Sequence, residues 1–509
     1  MKKNEDLFLL IKSLTKSEKR FFKLSASIHK GEKNYLRIFD AIDGQREYDE
    51  EELGRLFRHE KFAKHLSYEK NYLHALILRT LRNFFSESSS EARLKELLRS
   101  AEILFEKRLY KQCSKILRKA KEIAYKYEKF PAILEVLRWE VELYRATLDL
   151  DRLDKELDKI SGEETSVIEK YENTSVFFKL ATRVLVLNRW ESMTRSERDV
   201  KNYSAIMSHP VLRSEKRALT YQSKYYFCNL HSNYHLIKGD FKRSLMYCKS
   251  QLSLIESHPH QILEKPNTYI ATLSNYLLIC QYLHKYDDYL EVLEKLKITS
   301  RTYRAEHTNS HMLVFIYQLT YYNNTGRFRE GAVLVPVIEM EMKQVRKASF
   351  NQANEIILWY NIFVAYFGSE DYTKALQWIN KILNHANLGL YADIHCFTRI
   401  LNLILHFELG NTDLLEYLVK STYRFLYKRK YLYKFESCIL DFIRTRLPRA
   451  NSGKELILMF EDLKRDLTKI IRDPFERRAL EYFDIISWLE SKISGRPFAE
   501  IIRGKADLL

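Results

Sequence analysis

Tyr234-His235-Leu236-Ile237-Lys238-Gly239-Asp240-Phe241, followed by Ser244 and Cys248, is the stretch on which the fold turns. Apolar and aromatic residues at helical spacing stop at Gly-Asp, then resume at Phe241 with small or apolar residues three and seven positions on. That pattern predicts a helix, a tight corner and a second helix folded back on the first. Two other stretches repeat it: Tyr321-Tyr322 with Gly326 and Phe328 leads to Gly331, Val335 and Ile338, and Tyr366 with Asp371 and Tyr372 leads to Ala375, Ile379 and Ile382. Tyr286 and Leu414 fit more loosely, and Tyr110, Leu150 and Met193 extend the series backwards. The anchors recur on average about every 43 residues, which leaves roughly 18 residues per helix, or about 27 Å. Such hairpins cannot bury their faces alone, so they must stack. Stacking against neighbours only would let one whole unit, such as Asn275 to Leu319, be deleted without loss of the remaining helices.

Composition agrees. The chain of 509 residues is 46% hydrophobic and holds 13 Gly and 8 Pro, too few for many hairpins or for Gly-rich cofactor loops. The expected class is all-α. Lys and Arg number 84 against 67 Asp and Glu, a formal charge of +17 that suits acidic partners; the excess reads as thinly spread. The six cysteines lie far apart and read as reduced core residues. The opening residues hold no signal-like apolar run, and no later run is long enough to span a membrane, so the expected location is cytoplasmic.

A small residue three positions after the aromatic anchor lets the next helix approach while the ring fills the gap. Gly239, Asp240, Phe241 and Ser244, and Asp371, Tyr372 and Ala375, resemble the second half of a tetratricopeptide repeat, over roughly residues 100 to 430. The period is nearer 43 than the family's 34, and the small residue is absent at Tyr289 and Tyr417. The resemblance implies a right-handed α-solenoid of helical hairpins. As a whole the chain also resembles a bacterial family of unknown function, from Leu14-Thr15-Lys16-Ser17-Glu18-Lys19-Arg20-Phe21-Phe22 to Trp488-Leu489-Glu490-Ser491-Lys492-Ile493; no activity comes with that resemblance.

The expected organisation is a helical N-terminal unit (1–85), a linker at Ser86–Ser90 (86–90), the helical repeats (91–448) and a C-terminal helical cap (449–509). Thr15-Lys16-Ser17-Glu18 has the spacing of a capping box. Pro448 should end a helix, and Asp473-Pro474 should start a last long one through Trp488. Pro336 predicts a kink or a late helix start. Leu418, Phe425, Leu432 and Ile439 form a stripe spaced by seven.

No catalytic site is legible. Gly326 to Gly331 has the spacing of a phosphate loop, but Ala332 and Val333 stand where Lys and Ser or Thr are required. His231 with His235, and His307 with His311, could face a metal from one helix side, but no third ligand is identifiable. No cofactor is expected, and the chain reads as a non-enzymatic scaffold for a protein or peptide. In a tetratricopeptide-like array, residues 12, 8 and 5 positions before each anchor line a concave groove; Asn229, Asn233, Tyr282, Asn323, Asn324 and Asn402 are the candidates. Asn donates and accepts, which suits a peptide main chain. A Lys needed to clamp a peptide carboxylate is missing at 229.

Nucleic acid is the less favoured partner. Lys420, Arg424, Lys428, Arg429, Lys430 and Lys434 interleave with Tyr423, Phe425, Tyr427, Tyr431 and Tyr433, as single-stranded nucleic acid would require. The competing reading turns the rings to the core and lays the basic stems over apolar surface. Glu50 to Phe57 and Ser67 to Phe85 resemble a helix-turn-helix with Tyr68, Lys70, Asn71 and His74 as readers, but the turn is several residues too long.

Overall fold

The computed structural model describes residues 5–27, 34–187, 197–303, 310–344, 352–385, 392–429, 431–450 and 452–508. Every regular element among them is helical. The chain divides into two compact units, 1–171 and 172–509.

The first unit contains α1 (Asp6–Ser13), α2 (Lys16–Ser27), α3 (Asn34–Gly44), α4 (Glu50–Leu56), α5 (Leu66–Phe84), α6 (Ser90–Glu106), α7 (Tyr110–Lys126), α8 (Phe130–Ala146) and the first part of α9 (Leu150–Leu187), within which the boundary falls. The capping box at α2 forms as expected: Thr15 N–H donates to the Glu18 carboxylate, and Glu18 N–H donates to Thr15 Oγ1 at 3.3 Å. Ser86–Ser90 is the corner between α5 and α6, with Ser89 capping α6. It separates two cores, one built from Leu7 to Ile77 and one from Leu94 to Val167.

The second unit continues with α10 (Glu197–Met207), α11 (Tyr221–Ile237), α12 (Phe241–Glu256), α13 (Pro259–Glu264), α14 (Pro266–Tyr282), α15 (Tyr286–Thr302), α16 (Ser310–Asn324), α17 (Phe328–Gln344), α18 (Gln352–Gly368), α19 (Tyr372–Leu383), α20 (Ala392–Glu408) and α21 (Thr412–Arg429). It closes with α22 (Lys434–Asp441), α23 (Gly453–Ile470), α24 (Pro474–Arg477), α25 (Ile485–Ser494) and α26 (Phe498–Asp507). Most of the hairpin helices are seventeen residues long, close to the expected eighteen.

One corner recurs eight times among the described residues. A residue with positive φ (Arg108, Glu128, Leu148, Gly239, His284, Gly326, Glu370, Gly410) ends one helix. The next amide donates to the carbonyl five residues back, from Leu109 to Leu104 at 2.8 Å through Asn411 to His406 at 2.9 Å. The following residue opens the next helix. This closure satisfies carbonyls that a helix end otherwise leaves unpaired. The expected anchors Tyr110, Leu150, Phe241, Tyr286, Phe328 and Tyr372 are each the first residue of their helix. Leu414 is not: the last corner runs Gly410-Asn411-Thr412, so the anchor slot holds Thr412 and the buried residue three positions on is Leu415. Met193 lies outside the described residues.

The small residue after the anchor has a physical cause at two corners. Ser232 and Ser244 exchange hydroxyl–carbonyl bonds of 3.0 and 2.8 Å between α11 and α12. A Cβ on Gly331 would lie 3.2 Å from that of Ala365. Where Tyr289 replaces the small residue, its hydroxyl donates to Tyr317 O at 2.7 Å.

Two expectations change and a third keeps one of its alternatives. α17 runs through Pro336 from its start at Phe328, so of a kink or a late start, the late start does not occur. The seven-residue stripe is not one helix, because α21 stops at Arg429 and Leu432 lies in the connection to α22. The helix from Asp473 is one turn: Asp473 caps Phe475 N–H at 2.9 Å as expected, but Asp484 caps a new helix at Ser487 N–H, 3.0 Å, and Gly495 ends it.

The C-terminal segment reaches further than a cap on the last hairpin. Residues 474–507 run back along the ends of earlier helices. Arg478 donates to Ile237 O at the end of α11. Arg503 donates to Gly326 O at 3.3 Å, and Tyr360 donates to Tyr482 O at 2.8 Å. Glu408, at the end of α20, accepts from Trp488 Nε1 and Lys492 Nζ, both at 2.6 Å. Phe498 stacks on Phe328, and Phe483 packs edge-on to Phe367. One core therefore joins residues from Met312 to Ile502.

Candidate functional site

The groove residues do not form one open surface. Asn229 and Asn233, one turn apart on α11, are half-buried and bonded to each other: Asn233 Nδ2 donates to Asn229 O at 2.8 Å. Tyr282, the last residue of α14, stacks on Phe241 and is covered by the C-terminal segment. Burial and the neighbouring Glu481 carboxylate, which its hydroxyl meets, hold that hydroxyl well above the usual tyrosine range. Asn323 is buried and donates to Asn361 O at 3.0 Å. The backbone carbonyl of Asn324 accepts from Tyr286. Asn402 is buried within α20; it stands twelve residues before Leu414, and with the anchor slot at Thr412 the groove positions fall elsewhere. Only Asn229 and Asn233 remain beside one another on one helix face. Of the others, Asn323 and Asn402 are buried, Asn324 is half-buried, and Tyr282 alone meets the C-terminal segment, at Glu481.

The histidines are packing groups. His231 Nε2 donates to Leu212 O at 3.0 Å and its ring stacks on Tyr247, as does that of His235. Burial pushes both imidazoles below their ordinary value. His307 lies outside the described residues. Among the described residues no cluster of three or more His, Cys, Asp or Glu has metal-binding geometry. Gly326 makes a corner against the backbone of 499–503, not a phosphate loop.

In the N-terminal unit, Tyr68 and Asn71 are exposed, but Lys70 is buried, paired with Glu50 at 2.5 Å and bonded to Tyr48. His74 is half-buried. The four suggested readers are not presented together.

The basic segment is different. Lys420, Arg424 and Lys428 are exposed along α21; Lys420 pairs with Glu416, while Arg424 and Lys428 have no acid partner among the described residues. Arg429 and Arg399 both lie over the Phe425 ring, at 4.8 and 3.9 Å. Lys434 is exposed at the start of α22, its N–H donating to Glu476, and Lys430 lies outside the described residues. The rings divide. Phe425 packs on the core, but Tyr423 is 40% and Tyr427 70% exposed, with their planes within 8° at 6.2 Å. The expectation that these tyrosines face the core fails for both. Leu415, Val419, Thr422 and Leu426 make the buried stripe of α21, and a wheel drawn on those four would have placed Tyr423 and Tyr427 outside.

Beneath Arg399 lies a cationic cluster. His395 is buried, and burial followed by His385, Arg399 and Arg429 drives its imidazole down to about 4. Arg399 is likewise depressed by burial. No helix among the described residues is long and apolar enough to cross a membrane. Compared with known proteins, the chain matches no family model and no curated protein.

Proposed function

We propose that the hairpins of the second unit form a right-handed α-solenoid of the tetratricopeptide-like kind and that the chain is a cytoplasmic scaffold for a protein partner, with no catalytic role. One observation carries this reading: along the helix ends from α11 to α20 the unit already holds a segment of polypeptide, the chain's own residues 474–507, through backbone carbonyls, aromatic stacking and a paired carboxylate. A face that grips one peptide by main-chain and ring contacts has the chemistry to grip another. An external partner docks on α11 beside Asn229 and Asn233, one to two turns before the Ile237 carbonyl that Arg478 holds. A photo-crosslinking residue at 233 should capture one defined protein in cells, whereas the same residue at Lys64 should capture none. Equal yields at both positions would remove the scaffold reading.

A second reading, association with nucleic acid through the segment 420–434, is favoured by the outward position of Tyr423 and Tyr427.

A further inference from the structure

Charge is concentrated where the exposed rings are. Lys420 to Arg478 holds sixteen Lys and Arg against eight Asp and Glu, so almost half of the chain's +17 lies in little more than a tenth of its length. The sequence reading of a thinly spread excess does not hold there. On α21 the outward face carries Tyr417, Tyr423 and Tyr427, exposed by 73%, 40% and 70%. Lys420, Arg424 and Lys428 stand between and beside them. A cleft of about 120 Å³ opens between α21 and the turn after α22; Val419 and Leu440 floor it, and Lys420, Tyr423, Arg424 and Arg444 line it with a single acid, Asp441.

Three exposed rings interleaved with cations suit a polyanion that also offers flat apolar faces. A protein interface of this size would centre on rings with charges kept to the rim, since interface cores are depleted in lysine. Here a charged side chain follows every ring within one turn. Single-stranded nucleic acid supplies both parts: phosphates for Lys420, Arg424, Lys428 and Arg444, and unpaired bases for the outer faces of the parallel Tyr423–Tyr427 pair. In a duplex the base faces are already stacked on one another, so the tyrosines would find only edges.

We propose that the outward face of α21, with the cleft bounded by Arg444, binds single-stranded nucleic acid without sequence preference. This rests on the second reading above and leaves the scaffold reading untouched, because none of these residues touches α11.

The test is fluorescence anisotropy of the full chain with labelled twelve-nucleotide oligo(dT) and oligo(U), each also annealed to its complement, across a salt series. Tyr423→Ala with Tyr427→Ala should weaken single-strand binding by about tenfold or more per ring. Arg424→Gln, Lys428→Gln and Arg444→Gln together should lower the slope of log affinity against log salt by about 2, the release expected for three phosphate contacts on a single strand. The triple variant Lys107→Gln, Lys111→Gln, Lys115→Gln, on exposed positions of the first unit, should change neither. All these side chains are exposed, and circular dichroism checks that each variant keeps its helices. Equal losses in the control variant, or duplex bound as tightly as single strand, would overturn the proposal. Binding of polyglutamate with the same residue dependence and no oligonucleotide binding would reassign the surface to an acidic protein.

Discussion

A side chain in left-handed backbone costs about 1 to 2 kcal/mol relative to glycine, yet five of the eight corners accept one, at Arg108, Glu128, Leu148, His284 and Glu370. Glu370→Gly should therefore stabilise the chain, by about 0.5 kcal/mol once the extra freedom glycine gives the unfolded state is subtracted. Gly326→Ala has the opposite sign. Its φ is +67°, and a Cβ there would sit 2.5 Å from Ala499 O and 2.8 Å from Arg503 N, so a loss of at least about 2 kcal/mol is expected. Urea melts of the two variants check both signs. These corners also show what single residues disclose. Gly239-Asp240-Phe241 announces a turn, because only glycine takes positive φ without penalty; Glu128-Lys129-Phe130 makes the same turn and announces nothing. His395 gives a pH signature. Its folded-state value, about 4, lies below the ordinary 6.5, so the unfolded chain binds the extra proton as pH falls through 6.5 and stability declines until about 4. His395→Leu should flatten the urea midpoint between pH 6.5 and 4.5 relative to the unmutated chain. An unchanged slope would mean that the imidazole is not held neutral.

At the scale of elements, helix existence and length were readable from periodicity, since each hairpin buries one stripe of each helix against its neighbour. Connections were readable only where a local signal marks them. The last anchor was displaced by two residues because Thr412 fills a slot that carries an aromatic or a leucine at every other described corner, and that displacement sent Asn402 to the groove when it lies in the core. The return of residues 474–507 left no trace in any window, because its partners at Ile237, Gly326 and Glu408 are set by tertiary packing. Its energetic weight can be measured. A chain ending at Asp473 leaves Phe328, Tyr360, Phe367 and Phe397 without the rings and backbone that cover them. Such a chain should bind a hydrophobic dye and lose much of the cooperative melting of the second unit. An unaltered melt would make the segment an accessory.

For the second unit as a whole, this segment changes how its hairpins depend on one another. Stacked hairpins that touch only their neighbours tolerate loss of one unit. Here Arg478 must reach Ile237 while Arg503 reaches Gly326 and Lys492 reaches Glu408. Removing Asn275 to Leu319 would shorten the row by one step and leave those partners out of register. Deletion of that hairpin should therefore collapse the second unit, contrary to what the repeat pattern alone predicts, and circular dichroism of the deletion separates the two outcomes. The same segment sets an order of events during synthesis. Arg478 follows Ile237 by 241 residues. At ribosomal speeds of about 5 to 20 residues per second, roughly 12 to 50 s pass before the early hairpins can receive their last strip of cover. Within that interval Phe328 and Phe367, once made, wait uncovered until Phe498 and Phe483 follow, which makes chaperone engagement during translation a property of where the covering residues are encoded.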